Sequence, residues 1–260
     1  MCPAMTTAPP RGFWWEHGLS TDRLCLLEAV IFDVDGILAD TERDGHRPAF
    51  NAAFAAHGLD VSWTPDDYGR LLAIRSGRRR IAHDLRSRGF AAADRLAAAV
   101  HSTKTAMFAR RVLDGEIGAR PGLPRLIGEL RNCGIRVAVA STGSRAWVEP
   151  LVRDVVGDGI AEVLITGDEV SRGKPDPEVY LRALDELDLA PESVLAVEDS
   201  QPGLRAARRA GLATVVVTND YTAGQDFTGA AAVFDGFDGR TPLGTDGCRQ
   251  AHHRHHCLLR

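Results

Sequence analysis

Asp33 and Asp35 stand one residue apart at the end of an apolar run, Ala29-Val-Ile-Phe-Asp-Val-Asp-Gly-Ile-Leu38. The run has the composition of a strand buried on both faces. It brings two carboxylates to the strand's C-terminal edge, where open α/β sheets bind ligands. Strand side chains at i and i+2 share a face, so the two acids can sit side by side. One carboxylate can then bind a hard cation and attack while the other handles a proton. An Asp-x-Asp-Gly sequence also opens calcium loops and ordinary turns, so the pair takes its meaning from what accompanies it.

Three further groups accompany it, each at or beside the expected C-terminal end of a strand. Val137-Ala-Val-Ala-Ser141-Thr142-Gly143 offers a hydroxyl and turn amides able to hold phosphate oxygens. Arg172-Gly-Lys174-Pro-Asp-Pro177 places a lysine on a proline-stiffened loop that enters a helix. Val194-Leu-Ala-Val-Glu198-Asp199-Ser200 is an apolar strand ending in two acids. Taken singly, each has a plain structural use. Ser141 can cap a helix, Lys174 can be a solvated charge, and Glu198 and Asp199 can complement a helix dipole. Those uses do not explain why acid pair, hydroxyl, lysine and acid pair recur at one sheet edge. Such convergence of complementary charges is what a phosphate–magnesium site requires.

The elements that must position these groups alternate strand and helix. Helices are expected at Leu123–Asn132, Arg145–Val155, Glu178–Asp188 and Gly203–Ala210, between strands at Ile135–Ala140, Val163–Thr166, Val194–Val197 and Thr214–Val217. That alternation predicts a parallel sheet covered on both sides, an α/β Rossmann-like core. Between Ala39 and Arg120 only helical patterns appear: Thr41–His57, Pro65–Leu72, Arg79–Arg88 and Ala93–Leu113. The chain is therefore expected to hold a core (residues 27–40 and 114–240) and an all-helical cap (41–113) inserted after the first strand. Residues 1–26 and 241–260 are left as extensions. An inserted cap over the strand ends would close the site against water.

The ordered set of motifs resembles the haloacid dehalogenase superfamily of aspartate-nucleophile phosphatases and phosphomutases, from about Leu27 to Phe237. The resemblance implies that Asp33 attacks the phosphoryl group. Asp35 would protonate the leaving oxygen and later activate water. Mg²⁺ would be held by the Asp33 carboxylate, the Asp35 backbone carbonyl and Asp199, with Glu198 nearby. Ser141, Thr142, Gly143 and Lys174 would hold the phosphoryl oxygens. Ile37 stands where that family usually has threonine or valine, a position that need only be β-branched and packed.

A narrower likeness is carried by Leu38-Ala-Asp-Thr-Glu42, His46-Arg-Pro-Ala-Phe-Asn51, Trp63, Tyr68, Ser76-Gly-Arg-Arg-Arg80-Ile81, His101, Lys104-Thr105 and Arg120-Pro-Gly122. These segments resemble the CbbY proteins, a branch close to β-phosphoglucomutase whose members remove the 1-phosphate of xylulose-1,5-bisphosphate. By position Glu42, Ser76, Gly77, Arg78, Arg80, His101 and Lys104 would contact the sugar and its distal phosphate. Arginine forks suit phosphate, so the cluster of Arg75, Arg78, Arg79 and Arg80 points the same way without the resemblance. Two departures stand out: Ser76 and Arg78 replace glycine and lysine, and the family has one residue fewer between the counterparts of Glu42 and His46.

Bulk properties exclude some classes. The 260 residues are 44% hydrophobic and 25% charged, ordinary for one large or two modest soluble domains. A net charge of −4 gives no reason to expect nucleic acid or an anionic membrane as partner. Five scattered cysteines without metal or redox spacing read as reduced thiols of a cytoplasmic protein. A small sugar phosphate or bisphosphate is the expected partner, and a monomer the favoured state. The His252-His-Arg-His-His256-Cys257 tail could bind transition metals but reads as a disordered terminus. Two other functions fit the same motifs: a phosphomutase, and a non-catalytic relative that only binds.

Overall fold

The computed structural model describes residues 26–74 and 76–258. The N-terminal extension, apart from Leu26, and Arg75 of the cap cluster lie outside the described residues.

Strands β1 (Ala29–Phe32), β2 (Arg136–Ala140), β3 (Val163–Ile165), β4 (Val194–Glu198), β5 (Ala213–Val217) and β6 (Ala232–Phe234) form one sheet. Their order is β3-β2-β1-β4-β5-β6, and every pairing is parallel. Chain order runs one way from β1 to β3 and the other way from β4 to β6. The topological switch point therefore lies between β1 and β4, whose registers pair Phe32 with Val197. Period-two alternation divides β1: Val30 and Phe32 pack into one core cluster, Ala29 and Ile31 into the other. The first cluster lies under α5 (Leu123–Asn132) and α6 (Arg145–Val155), the second under α7 (Glu178–Leu187) and α8 (Gln201–Arg209).

Between β1 and α5 the chain forms α1 (Arg47–Ala56), α2 (Pro65–Leu71), α3 (Gly77–Ser87) and α4 (Ala93–Leu113). These helices enclose a separate cluster of Phe50, Phe54, Trp63, Tyr68, Ile81 and Leu85. Trp63 is pinned as well as buried: its Nε1 donates to Asp84 Oδ2 at 2.8 Å, and its backbone N–H to Asn51 Oδ1 at 2.8 Å. Full burial of a side chain that large contributes about 3 kcal/mol or more, which lets the helical layer hold its own shape. The C-terminal half of α4 meets the core instead, where Phe108 packs edge-on against Trp147 of α6.

Three expectations need correction. The first cap helix does not run unbroken from Thr41 to His57: residues Thr41–His46 form a π-helical turn before α1. A π turn takes up one extra residue without breaking the helix, which accounts for the longer spacing between Glu42 and His46. The strand β6 was not expected because three residues on a half-exposed edge carry too little pattern to register. The described part of the tail, residues 241–258, is not merely an extension, and its histidine-rich segment is not a disordered terminus. Thr245–Leu258 form α9, with Cys248, Ala251 and His252 buried against the first core cluster and β5. Their i, i+3, i+4 spacing is a helical stripe, masked in the sequence by the surrounding histidines and arginines. His252 fits there because its Nε2–H donates to the Glu192 carbonyl at 2.8 Å.

Candidate active site

Asp33 follows β1 directly, and its N–H donates to Val197 O at 3.0 Å, so it stands level with Glu198 across the switch point. Gly36 then turns the chain back with φ of +77°, a conformation natural to glycine, and Asp35 pairs with Ala39. Both aspartates line a cavity of about 370 Å³ together with Lys174, Asp199, Thr142, Glu42, Ser76 and Arg80. A second hollow of about 310 Å³ by Asp40 and Arg120 shares Glu42, Asn219 and Tyr221 with this cavity but not Asp33 or Lys174.

Lys174 crosses from its loop into the sheet edge. Its Nζ lies 2.6 Å from Asp33 Oδ1, 2.7 Å from Glu198 Oε1 and 3.1 Å from the Ala140 carbonyl. Burial alone would lower its pKa, but the carboxylates of Asp33 and Glu198 outweigh burial and hold it above the usual lysine value. Glu198 is fully buried, accepts from the Tyr180 hydroxyl, and keeps Oε2 without a hydrogen-bond partner. Its pKa is raised by burial, with Lys174 acting in the opposite direction. Asp199 receives one hydrogen bond, from Asn219 Nδ2 at 2.8 Å. Burial, then the charges of Asp33 and Glu198, raise it well above the carboxylate range.

Asp35 behaves differently from Asp33. Its pKa is pushed up to about 7 by burial first, then by Asp33 and Glu42, against the Thr41 hydroxyl bond and Lys174. Near neutral pH this carboxyl therefore divides between its acid and base forms, as a group that both gives and takes protons must.

Asp33, Glu198 and Asp199 each present an oxygen, and these atoms all lie within 4.8 Å of one another. Three buried acids gather there beside one lysine, which pairs with Asp33 and Glu198 only, and one buried carboxylate oxygen, Glu198 Oε2, is orphaned. An all-oxygen donor set with surplus negative charge fits a hard divalent cation such as Mg²⁺.

The other expected residues divide. Ser141 is fully buried, and its Oγ accepts from the Gly143 N–H at 3.0 Å, so it braces the turn beneath Thr142. In the cap, Glu42 accepts from the Tyr68 hydroxyl, and Arg80 Nη1 approaches that hydroxyl at 3.3 Å. Arg78 lines a separate hollow with Arg79, His83 and Arg86, touched by the main cavity only through Ser76. Gly77 faces the His101 ring, and a Cβ at Gly77 would come within 3.1 Å of it. Lys104 Nζ is 2.8 Å from His46 Nδ1 and lies over the rings of Phe50 and Phe108, outside the cavity wall. Burial lowers its pKa to about 8, with Glu42 and Asp35 acting the other way.

Sequence reasoning missed the loop after β5. Asn219, Tyr221, Thr222 and Gln225 line the same cavity, and the Tyr221 ring meets Tyr68 of the cap edge-on at 5.7 Å. A signal existed: Thr218-Asn219-Asp220 follows an expected strand, and the rule applied to the other strand ends applies there too. His46 carried the family likeness but was given no site role, though its Nε2 lies 3.8 Å from Asp35 Oδ1.

Comparison with known proteins adds to this geometry. The family model of haloacid dehalogenase-like hydrolases matches residues 27–211. Protein CbbY of Rhodobacter capsulatus is 44% identical over 208 residues, covering 78% of this chain and 91% of that protein. A phosphorylated carbohydrates phosphatase of Thermotoga maritima is 32% identical over 213 residues, covering 80% of this chain and 93% of that protein. Among solved structures, a CbbY mutant from Rhodobacter sphaeroides in complex with xylulose-1,5-bisphosphate superposes with a TM-score of 0.72 at 42% identity. It covers 86% of this chain and 99% of its own.

Proposed function

Because this chain belongs to the haloacid dehalogenase-like hydrolases, in their CbbY-like branch, we propose that it is a magnesium-dependent sugar-phosphate phosphatase, with xylulose-1,5-bisphosphate as its substrate. The observation that carries the reading is the gathering of Asp33, Asp35, Lys174 and Asp199 on one cavity of about 370 Å³ at the switch point of the sheet. The likeness to relatives whose printed names include a carbohydrate phosphatase and a bisphosphate complex supports the substrate class.

In this reading a carboxylate oxygen of Asp33 attacks phosphorus as the ester P–O bond breaks, giving an aspartyl-phosphate. Asp35, protonated, gives its proton to the departing sugar oxygen. As a carboxylate it then takes a proton from water, which attacks the same phosphorus and frees Asp33 and phosphate. Lys174 neutralises Asp33 in the resting site and stays to face the phosphoryl oxygens, with Thr142 beside it on the cavity wall and Ser141 bracing the turn that carries Thr142. Asp33, Asp199 and the Asp35 carbonyl, with Glu198 close by, would hold Mg²⁺, which supplies positive charge against the phosphoryl group and the crowded acids. Glu42 and Arg80, which both meet the buried Tyr68 hydroxyl, form the polar face of the cap toward the sugar.

The test is a panel of phosphorylated metabolites, including xylulose-1,5-bisphosphate, scored by phosphate release with magnesium omitted as control. Preferred release from the bisphosphate supports the reading. β-Glucose 1-phosphate supplied with a bisphosphate primer serves as the counter-test. Isomerised sugar phosphate there would replace phosphatase by mutase, and no turnover of any compound would leave a binding protein.

A further inference from the structure

Arg120 lies where the chain returns from cap to core, and its side chain is only 9% exposed. It runs behind the wall of the active cavity instead of into it. Nη1 donates to the Gly36 carbonyl at 2.6 Å, and Nη2 to the Thr218 carbonyl at 2.8 Å. Nε lies 3.5 Å from Asp40 Oδ1, the backbone N–H donates to Leu38 O at 2.9 Å, and the Phe237 ring covers the guanidinium at 5.3 Å. One planar fork thus ties three segments together: the loop after β1, the loop after β5 and the first cap linker.

What these carbonyls adjoin gives the arrangement its meaning. Gly36 follows Asp35, and Thr218 precedes Asn219, whose amide holds Asp199. The two loops also touch: a Cβ built on Gly36 would stand 2.2 Å from Asp199 Oδ2 and 2.5 Å from Asn219 Nδ2. Asp35 and Asp199 repel one another when both are ionised, so close approach does not by itself hold the loops together. A rigid donor bridging the two carbonyls from behind supplies the missing restraint, and a guanidinium does so with a geometry that an ammonium lacks.

We infer that Arg120 is a positioning residue, which holds the loop carrying Asp35 against the loop carrying Asn219, the hydrogen-bond partner of Asp199, in the register that binds the cation and works on the phosphoryl group. The inference rests on the phosphatase reading only for the identity of the reaction; its own readout is metal binding.

The experiment uses the full chain with Arg120→Lys and Arg120→Met. Mn²⁺, a spectroscopic stand-in for Mg²⁺, is titrated without substrate by electron paramagnetic resonance, and phosphate release is measured against Mg²⁺. Removing a group that orients metal ligands typically weakens metal affinity about 10- to 100-fold. That loss is expected for Arg120→Met, with a matching fall in kcat at limiting Mg²⁺ and little change in substrate KM. Arg120→Lys should fall between Met and the parent, since an ammonium reaches one carbonyl but not both. Circular dichroism checks folding, and Arg120→Lys carries the test if the methionine variant does not fold. Folded variants that bind Mn²⁺ within twofold of the parent would overturn the inference while leaving the phosphatase reading intact. A parent that binds no Mn²⁺ would overturn both.

Discussion

The Lys174 ammonium lies 2.6 Å from Asp33 Oδ1, with both side chains at most 10% exposed. The same nitrogen reaches Glu198, so one cation serves two carboxylates, and the balance of the site depends on it. Removing one member of a buried ion pair leaves an uncompensated charge, at a cost of about 3–5 kcal/mol. Lys174→Met should therefore lower the melting temperature as well as abolish turnover. Adding Glu198→Gln should return part of the stability and none of the activity. A Lys174→Met protein as stable as the parent would show that the carboxylates do not need the lysine.

Asp33→Asn keeps the size and most of the hydrogen-bonding of the side chain but removes the proposed nucleophile. Phosphate release should drop to background, with an unchanged circular dichroism spectrum. Turnover equal to the parent's would end the case for Asp33.

Arg80 and Arg78 are two residues apart, yet only Arg80 lines the cavity that holds Asp33. Arg80→Ala should raise KM for a sugar bisphosphate about 10- to 100-fold, the value of a lost charged hydrogen bond. Arg78→Ala should change it by less than about threefold, because its distance from that cavity leaves only a weak, screened attraction. Steady-state kinetics on both variants decide the matter, and the reverse ranking would mean that substrate enters from the Arg78 side.

His252 makes the stability of the fold depend on acid. Burial first, then His256, lower its pKa from 6.5 to about 4, against the raising effect of the bond to Glu192 O. The unfolded chain thus takes up this proton before the folded one does. The stabilisation is complete above about pH 6.5 and is lost as pH falls toward 4, at most about 3 kcal/mol for this group. Thermal melts between pH 7 and 4 should show the loss, and His252→Phe should flatten that part of the profile. An unchanged slope in the variant would assign the acid sensitivity elsewhere.

The make-up of the candidate site was legible because it is written locally. Asp33, Asp35, Glu198 and Asp199 each end or follow a short apolar run, Lys174 stands on a Gly-Lys-Pro loop, and a continuous apolar run reports a strand buried on both faces whatever its neighbours are. The family likeness agreed with that reading and was supported by the comparisons. The α9 helix was not legible, since its buried stripe is three short residues among histidines and arginines. The loop from Asn219 to Gln225 has no periodicity and enters the site only because β5 lies beside β4.

The sequence by itself determined the candidate acids and lysine and the sheet edge that presents them, because residue type and apolar runs act over a few neighbouring positions. Tertiary structure decided which arginine faces the cavity, because burial of Ile81, Ala82 and Leu85 sets the rotation of α3. It also decided that Arg120 sits behind the acids, bound to carbonyls 84 and 98 positions away. No local pattern encodes contacts of that range; they exist only once the packed core has fixed where each loop begins.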